Sequence, residues 1–123
     1  MSFETGQSAE AWVAKYLEGK GYKIIERNWK CKRGEIDLIA LKKDTLYFVE
    51  VKYRRNRQYG NGAEAISQSK LKKMALTALS YIQLKDLFKS PIAFSAAIVE
   101  EKEGLKKIDF FEFPLDLPLK SYY

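Results

Sequence analysis

The stretch TLYFVEVKY at residues 45–53 has the composition of a strand, yet it carries an acid and a base near its end. Side chains alternate along a strand, so Glu50 and Lys52 share one face with Leu46 and Phe48. A carboxylate can bind a divalent cation, and an ammonium group beside it can orient water and stabilise charge on a phosphate. This face therefore has the residue types for metal-dependent phosphoryl chemistry.

A second acid interrupts the preceding apolar segment, EIDLIAL at residues 35–41. If the two segments form a hairpin whose turn is centred on Lys43 and Asp44, Asp37 faces Glu50. Directly opposed carboxylates are destabilising unless a cation lies between them. Mg²⁺ is commonly held by one or two carboxylates together with water and phosphate oxygens. The pair therefore predicts a divalent-cation site.

A structural interpretation of the same residues stays open. Glu50 and Lys52 can lie on a solvated face, and Glu35, which the same hairpin places opposite Lys52, can form an ordinary cross-strand ion pair with it. The position of Asp37 inside the otherwise apolar run IDLIA favours the functional interpretation, since two acids then interrupt two core-like strands at matched positions.

Composition narrows the possible chemistry. The 123 residues are 46% hydrophobic, which suits one compact domain, and the net charge of +6 indicates a polyanionic partner. The absence of histidine and the single cysteine exclude imidazole catalysis and a multi-thiolate zinc site. No apolar run approaches the ~20 residues that span a bilayer, and the N-terminus has no signal pattern. We expect a cytoplasmic protein without a membrane partner, whose chemistry uses carboxylates, Lys, Tyr or Ser.

Hydrophobic periodicity predicts the elements that position these residues. A helix is expected over residues 9–17 and another over 71–82, with strands over 22–29, 35–41, 45–53, 92–99 and 106–113. A polar, glycine-containing loop is expected at 56–62. We predict a single domain over residues 1–113, followed by an irregular C-terminal tail over 114–123.

Four segments together resemble the YraN family of uncharacterised bacterial proteins: GEIDLIA at 34–40, FVEVKYRR at 48–55, TGQSAEAWVAKYL at 5–17 and GYKIIERNW at 21–29. The order of a helical Glu, an Asp and then E-x-K is also similar to the archaeal Holliday junction resolvases and to the restriction-endonuclease-like superfamily, which has the motif PD-(D/E)xK. The resemblance covers most of residues 5–80.

This resemblance implies an α/β fold with a restriction-endonuclease-like αβββαβ core, in which helices flank a mixed central sheet. It implies a nuclease dependent on Mg²⁺ or Mn²⁺ that acts on DNA, with branched or structured DNA as the first expectation and RNA as an alternative. Asp37 and Glu50 resemble the metal-binding acids, Lys52 the catalytic lysine, and Glu10 an additional metal ligand from the first helix. Resolvases of this type act as homodimers.

The chain departs from the resemblance in the strand after the second helix. Ala93 and Ser95 occupy positions where the family usually has Arg and Asp. A catalytically inactive nucleic-acid-binding module is therefore an alternative function, and a structural or adaptor protein is another. Glu10 also has an alternative role, because an acid in the first turn of a helix is favoured by the helix dipole.

Basic residues cluster around the predicted 56–62 loop. A phosphate backbone passing over the acidic pair would be bound by Lys and Arg side chains of this cluster. The predicted nucleic-acid-binding residues are Arg33, Arg54, Arg55, Arg57 and Lys70. In the alternative interpretation, Lys70 only solvates the outer face of the second helix, as Lys72 and Lys73 do.

Overall fold

The described part of the chain forms two helices and five strands in the order that periodicity predicts. The computed structural model describes residues 6–55 and 67–118. The elements are α1 (Gly6–Gly19), β1 (Lys23–Cys31), β2 (Gly34–Lys42), β3 (Thr45–Arg55), α2 (Gln68–Lys85), β4 (Ile92–Lys102) and β5 (Leu105–Phe113). The predicted αβββαβ core is confirmed, and β5 extends it by one strand. The predicted 56–62 loop lies outside the described residues.

The five strands form one mixed sheet in the order β1-β2-β3-β4-β5. Neighbouring strands are antiparallel except β3 and β4, which are parallel. Parallel neighbours need a long crossover connection, and the connection between β3 and β4 contains α2. The mixed central sheet flanked by helices, implied by the resemblance, is therefore confirmed.

The β2–β3 hairpin has the predicted register. Lys42 pairs with Thr45 around the Lys43-Asp44 turn, and the paired residues continue as far as Leu38 and Val49. Lys43 takes a positive φ of 54°, as tight hairpin turns often require. The short turn thus fixes which residues of β2 and β3 are neighbours.

Two apolar clusters cover opposite faces of the sheet. The first contains α1 residues and the second contains α2 residues. The α1 cluster includes Val13, Ala14, Leu17, Leu38, Val49, Ala97 and Val99. The α2 cluster includes Ile36, Ile39, Leu46, Phe48, Met74, Ala78, Tyr81, Ile82 and Phe94. Phe48 and Val49 belong to different clusters, which confirms the predicted alternation along β3.

The ends of α2 follow from local capping. The Ser67 hydroxyl accepts a hydrogen bond from the Lys70 backbone N–H at 3.2 Å, which satisfies one of the free donors at the helix N-terminus. Asp86 adopts the left-handed conformation at the C-terminus. This N-terminal cap fixes where the first turn of α2, including Lys70, lies over the sheet.

The segment after β5 has no regular secondary structure over residues 114–118. Leu115 and Leu117 nevertheless pack against the α2 cluster, so this part of the predicted tail adds to the core. Neither helix of the described part of the chain is both long and apolar enough to cross a membrane.

Candidate active site

Asp37 and Glu50 are buried acids in a largely apolar sheet. Asp37 is 8% exposed and Glu50 is 6% exposed, and the neighbours Ile36 and Leu38 are buried almost completely. Burying an ionised carboxylate is costly unless a partner compensates its charge. The structural interpretation that placed Glu50 on a solvated face is therefore wrong.

The two acids lie where the β2–β3 hydrogen-bonded ladder has ended. The last residues paired in the β2–β3 ladder are Leu38 and Val49. One residue beyond it, Oδ2 of Asp37 accepts a hydrogen bond from the backbone N–H of Val51 at 2.8 Å. The Asp37 side chain thus bridges the two strands where backbone pairing stops, which gives its carboxylate a fixed position next to β3.

Glu10 brings a third carboxylate to Asp37 from α1. The helix begins at Gly6 and has no acid in its first turn, so the alternative role as a first-turn acid is wrong. Oε1 of Glu10 is buried and has no hydrogen-bond partner among the described residues. Buried acceptors usually have a partner, so this oxygen beside Asp37 could accept a bond from a bound group.

Two lysines approach Glu50 from different elements. Nζ of Lys70 on α2 lies 2.5 Å from Oε1 of Glu50. Lys52 follows Glu50 by two residues on β3 and interacts with Lys70. The interpretation of Lys70 as a solvating side chain is therefore wrong. Lys72 and Lys73 are exposed, as that interpretation expected.

Glu35 does not compete for Lys52. It pairs with Lys30 of β1 in the sheet, and Nζ of Lys30 lies 3.4 Å from Oε2 of Glu35. The cross-strand ion pair between Glu35 and Lys52, considered from sequence, is replaced by this one. Lys52 remains beside Glu50 and Lys70.

Burial and crowding of like charges change the pKa of each group. Burial raises the pKa of Asp37 to about 6, with a further increase from Glu10, while the Val51 N–H opposes the rise. Burial, and then the charge of Asp37, raise the pKa of Glu50. Both carboxylates are therefore harder to ionise in the cleft than they would be in water.

The lysines respond in opposite directions. The contact with Lys70, and then burial, lower the pKa of Lys52. Burial alone would lower the pKa of Lys70, but the contacts with Glu50 and Lys52 outweigh it and raise that pKa. Lys70 is therefore the more firmly charged of the two lysines beside Glu50.

A close approach between β2 and α2 shapes the cleft. A Cβ atom at Gly34 would lie 2.8 Å from Oγ1 of Thr77, so only glycine lets α2 come this near. The resulting cleft has a volume of about 190 Å³. It is lined by Gly34, Glu35, Asp37, Glu50, Lys70, Lys73 and Met74.

Comparison with known proteins shows relatives that match the part of the chain that contains the cleft. The family described as Uncharacterised protein family UPF0102 matches residues 9–109. The chain belongs to this family. A UPF0102 protein of Hahella chejuensis is 39% identical over 97 residues, which cover 79% of this chain and 78% of the relative. Another, from Syntrophomonas wolfei, is 37% identical over 109 residues, which cover 89% and 95%.

Among solved structures, SfsA of Pyrococcus furiosus in complex with Ca²⁺ aligns with a TM-score of 0.40 and 16% sequence identity. The alignment covers 90% of this chain, which spans 63% of that protein's chain. The UPF0102 match confirms the family that the motifs GEIDLIA and FVEVKYRR indicated.

The chemistry of the cleft fits a hard divalent cation. Carboxylate oxygens are the ligands that Mg²⁺ and Mn²⁺ prefer, and Mg²⁺ needs only one or two of them. Asp37 and Glu50 could supply these, and the Glu10 carboxylate lies beside Asp37. Within residues 6–55 and 67–118, no three potential ligands are already gathered around one point, and Lys70 occupies one side of Glu50.

The predicted basic residues take different positions around the cleft. Arg33 is exposed in the turn between β1 and β2, beside the first turns of α2. Arg54 shares the face of β3 that carries Glu50 and Lys52, whereas alternation turns Arg55 to the opposite face. Arg57 lies outside the described residues. From sequence, the same DNA-binding role was predicted for Arg54 and Arg55. The strand geometry places them on opposite faces of the sheet.

Lys70 is the site residue that sequence reasoning placed least well. It precedes Met74 by four residues and Thr77 by seven, and both are buried. Residues at these spacings lie on one face of a helix, so the phase of α2 already contained the signal that Lys70 points towards the sheet.

Proposed function

We propose that the protein is a Mg²⁺- or Mn²⁺-dependent nuclease that hydrolyses phosphodiester bonds in DNA. The observation that carries this proposal is the pair of buried carboxylates, Asp37 and Glu50, with raised pKa values beside Lys52. Buried acids with perturbed pKa values in a cleft are typical of functional sites. The resemblance of D-x12-E-x-K to nuclease motifs supports the same assignment.

In the mechanism we propose, Asp37 and Glu50 would hold the cation, with Glu10 as a third oxygen donor. The Val51 N–H orients the Asp37 carboxylate for this role. When bound, the cation polarises the scissile phosphate and neutralises part of its charge. Lys52 orients the attacking water. Its ammonium stabilises the negative charge that develops as the new P–O bond forms and the ester P–O bond breaks. The proton lost by the attacking water passes to solvent, and solvent protonates the departing ester oxygen.

The substrate is assigned by charge and by resemblance. The net charge of +6 favours a polyanion, Arg33 lies beside the first turns of α2, and Arg54 shares the β3 face of Glu50. Branched or structured DNA is the substrate that we propose first, with RNA as the alternative. We further propose a cytoplasmic protein that acts as a homodimer, so that two sites cut two strands.

A catalytically inactive nucleic-acid-binding module is the second candidate. Ser95 supports it, because this residue is fully buried and its hydroxyl donates to the backbone carbonyl of Phe48 at 3.5 Å. Ser95 therefore contributes only a long structural hydrogen bond where the resemblance expects an acid. This candidate binds DNA but does not cut it.

The proposal is tested by offering the purified protein four-way junction, flap, single-stranded and linear duplex DNA. We expect cleavage of at least one substrate with Mg²⁺ or Mn²⁺ and none with EDTA. Glu50→Gln and Lys52→Ala should each abolish cleavage, and Lys52→Ala should still bind Mn²⁺. Glu18→Gln and Lys89→Ala, which change exposed residues remote from the cleft, are the matched controls.

The outcomes separate the candidates. Cleavage that survives both Glu50→Gln and Lys52→Ala would reveal a contaminating nuclease and would refute the assignment. Binding of DNA and Mn²⁺ without cleavage of any substrate would establish the inactive module. Absence of DNA binding at low salt would favour the structural or adaptor protein.

A further inference from the structure

We propose that Lys70 occupies the cation position of the site in the metal-free protein and must leave Glu50 when a divalent cation binds. This inference rests on the proposed function, because it assumes that Glu50 is a metal ligand. It assigns Lys70 a role as a built-in competitor that sets the metal affinity of the cleft.

The direct contact between Lys70 and Glu50 supports this role. Nζ of Lys70 lies 2.5 Å from Oε1 of Glu50, and the Glu50 side chain is only 7% exposed. A charge-assisted contact of this kind is among the stronger pairwise interactions in a protein. Together with Lys52, it compensates the charge of a buried carboxylate that lies beside Asp37.

The two predicted ligands, Asp37 and Glu50, are contacted from different elements. Lys70 reaches Glu50 from α2, whereas Asp37 is held on the β3 side by the Val51 N–H and is approached by Glu10 from α1. The contact therefore ties up one of the two predicted ligands and leaves the other in place. A cation bridging Asp37 and Glu50 would meet the Lys70 ammonium directly, and like charges at this distance repel each other.

The Lys70 side chain is able to move away from Glu50 into solvent. The side chain of Lys70 is 41% exposed, and its flexible stem starts from the capped first turn of α2. Release from Glu50 therefore needs rotation of one side chain and no change in the backbone. Lys73, one turn further along α2, lines the same cleft but is exposed, and the ion pair to Glu50 is formed by Lys70, so Lys73 offers a matched comparison.

The test measures Mn²⁺ binding by calorimetry in the intact protein and three variants. Lys70→Met removes the charge and keeps the length of the side chain, and we expect the dissociation constant for Mn²⁺ to fall about tenfold, since one charged contact no longer competes. Lys70→Arg keeps the competing charge and should leave the constant near that of the wild type. Lys73→Met removes a nearby charge without freeing Glu50, so its effect should be at most about twofold.

Each remaining outcome overturns the inference in a recognisable way. An unchanged or raised dissociation constant in Lys70→Met, with clear Mn²⁺ binding in the wild type, would refute competition and leave the proposed metal site intact. Equal effects of Lys70→Met and Lys73→Met would reduce the result to general electrostatics. Absence of Mn²⁺ binding in both wild type and Lys70→Met would refute the proposed metal function itself.

Discussion

The Oδ2 atom of Asp37 accepts a hydrogen bond from the backbone N–H of Val51 at 2.8 Å, just beyond the last backbone pair of β2 and β3. One carboxylate thus has two roles. It continues the connection between the strands as an acceptor, and it presents a charge to the cleft that it lines together with Glu50. This relationship allows the structural and functional contributions of Asp37 to be separated by substitution.

Asp37→Asn should leave the metal-free protein as stable as the wild type at neutral pH, or more stable by ~0.2–1 kcal/mol. The amide oxygen can still accept from Val51, while the unfavourable charge beside Glu50 and Glu10 is removed. The same substitution should abolish stabilisation by Mn²⁺. Urea unfolding with EDTA and with Mn²⁺ measures both effects.

Asp37→Ala provides the contrast, because it also removes the acceptor. The Val51 N–H is then left without its partner, which should lower the free energy of unfolding by about 1–3 kcal/mol. Equal stabilities of the Asn and Ala variants would show that the hydrogen bond to Val51 does not support the hairpin.

The pKa of Asp37 predicts a pH dependence of stability. The folded-state pKa is about 6 against an ordinary value of 3.8, so the folded protein binds this proton more tightly than the unfolded chain does. The contribution of Asp37 to stability is therefore fully present below pH 3.8 and is lost as the pH rises through about 6.

This dependence is measurable as a difference between variants. Between these pH values in EDTA, the wild type should lose on the order of 1–3 kcal/mol relative to Asp37→Asn, which cannot titrate at this position. Denaturant unfolding at a series of pH values gives the two curves. Parallel curves would mean that Asp37 titrates near its ordinary pKa and that the cleft solvates its charge well.

Arg54 and Arg55 should differ in DNA binding. Arg54 shares the β3 face of Glu50 and Lys52, so Arg54→Ala should weaken binding to DNA of any sequence. It should also flatten the slope of log K against log salt by about 0.9 for each duplex phosphate contact that is lost. Arg55→Ala should have the smaller effect, and an equal or larger one would place the DNA on the other face of the sheet.

Gly34→Ala should destabilise the protein by about 1–3 kcal/mol, because the added methyl group would lie 2.8 Å from Oγ1 of Thr77 and force α2 away from β2. Thermal unfolding measures the loss. Adding Thr77→Ala should restore part of it, since the clash is relieved. A double variant no more stable than Gly34→Ala would show that the cost arises from the backbone of Gly34 alone.

Much of the fold was predictable because local signals agreed with each other. The Lys43-Asp44 turn and the alternation of β2 and β3 fix the register from Lys42–Thr45 to Leu38–Val49. That register brings Asp37 and Glu50 close together, so the core of the candidate site follows from two short segments of sequence.

The remaining features depend on long-range packing that periodicity does not encode. The Asp37–Val51 bond lies where the ladder ends at Leu38–Val49, although β2 continues to Gly34 and β3 to Arg55. Gly34 allows α2 to pack close to β2, because a side chain at this position would clash with Thr77, 43 positions later in the chain. This close packing brings Lys70 within reach of Glu50. The bulge in β1 between Ile24 and Glu26 likewise had no sequence signal that we identified.

The most direct measurement of the central claim is the anomalous difference density of a crystal of the protein soaked in Mn²⁺. We predict a strong peak between the carboxylates of Asp37 and Glu50, with the Lys70 ammonium withdrawn from Glu50. A map without a peak at these carboxylates, at Mn²⁺ concentrations that saturate binding in solution, would contradict the assignment of this cleft as the metal centre of a nuclease.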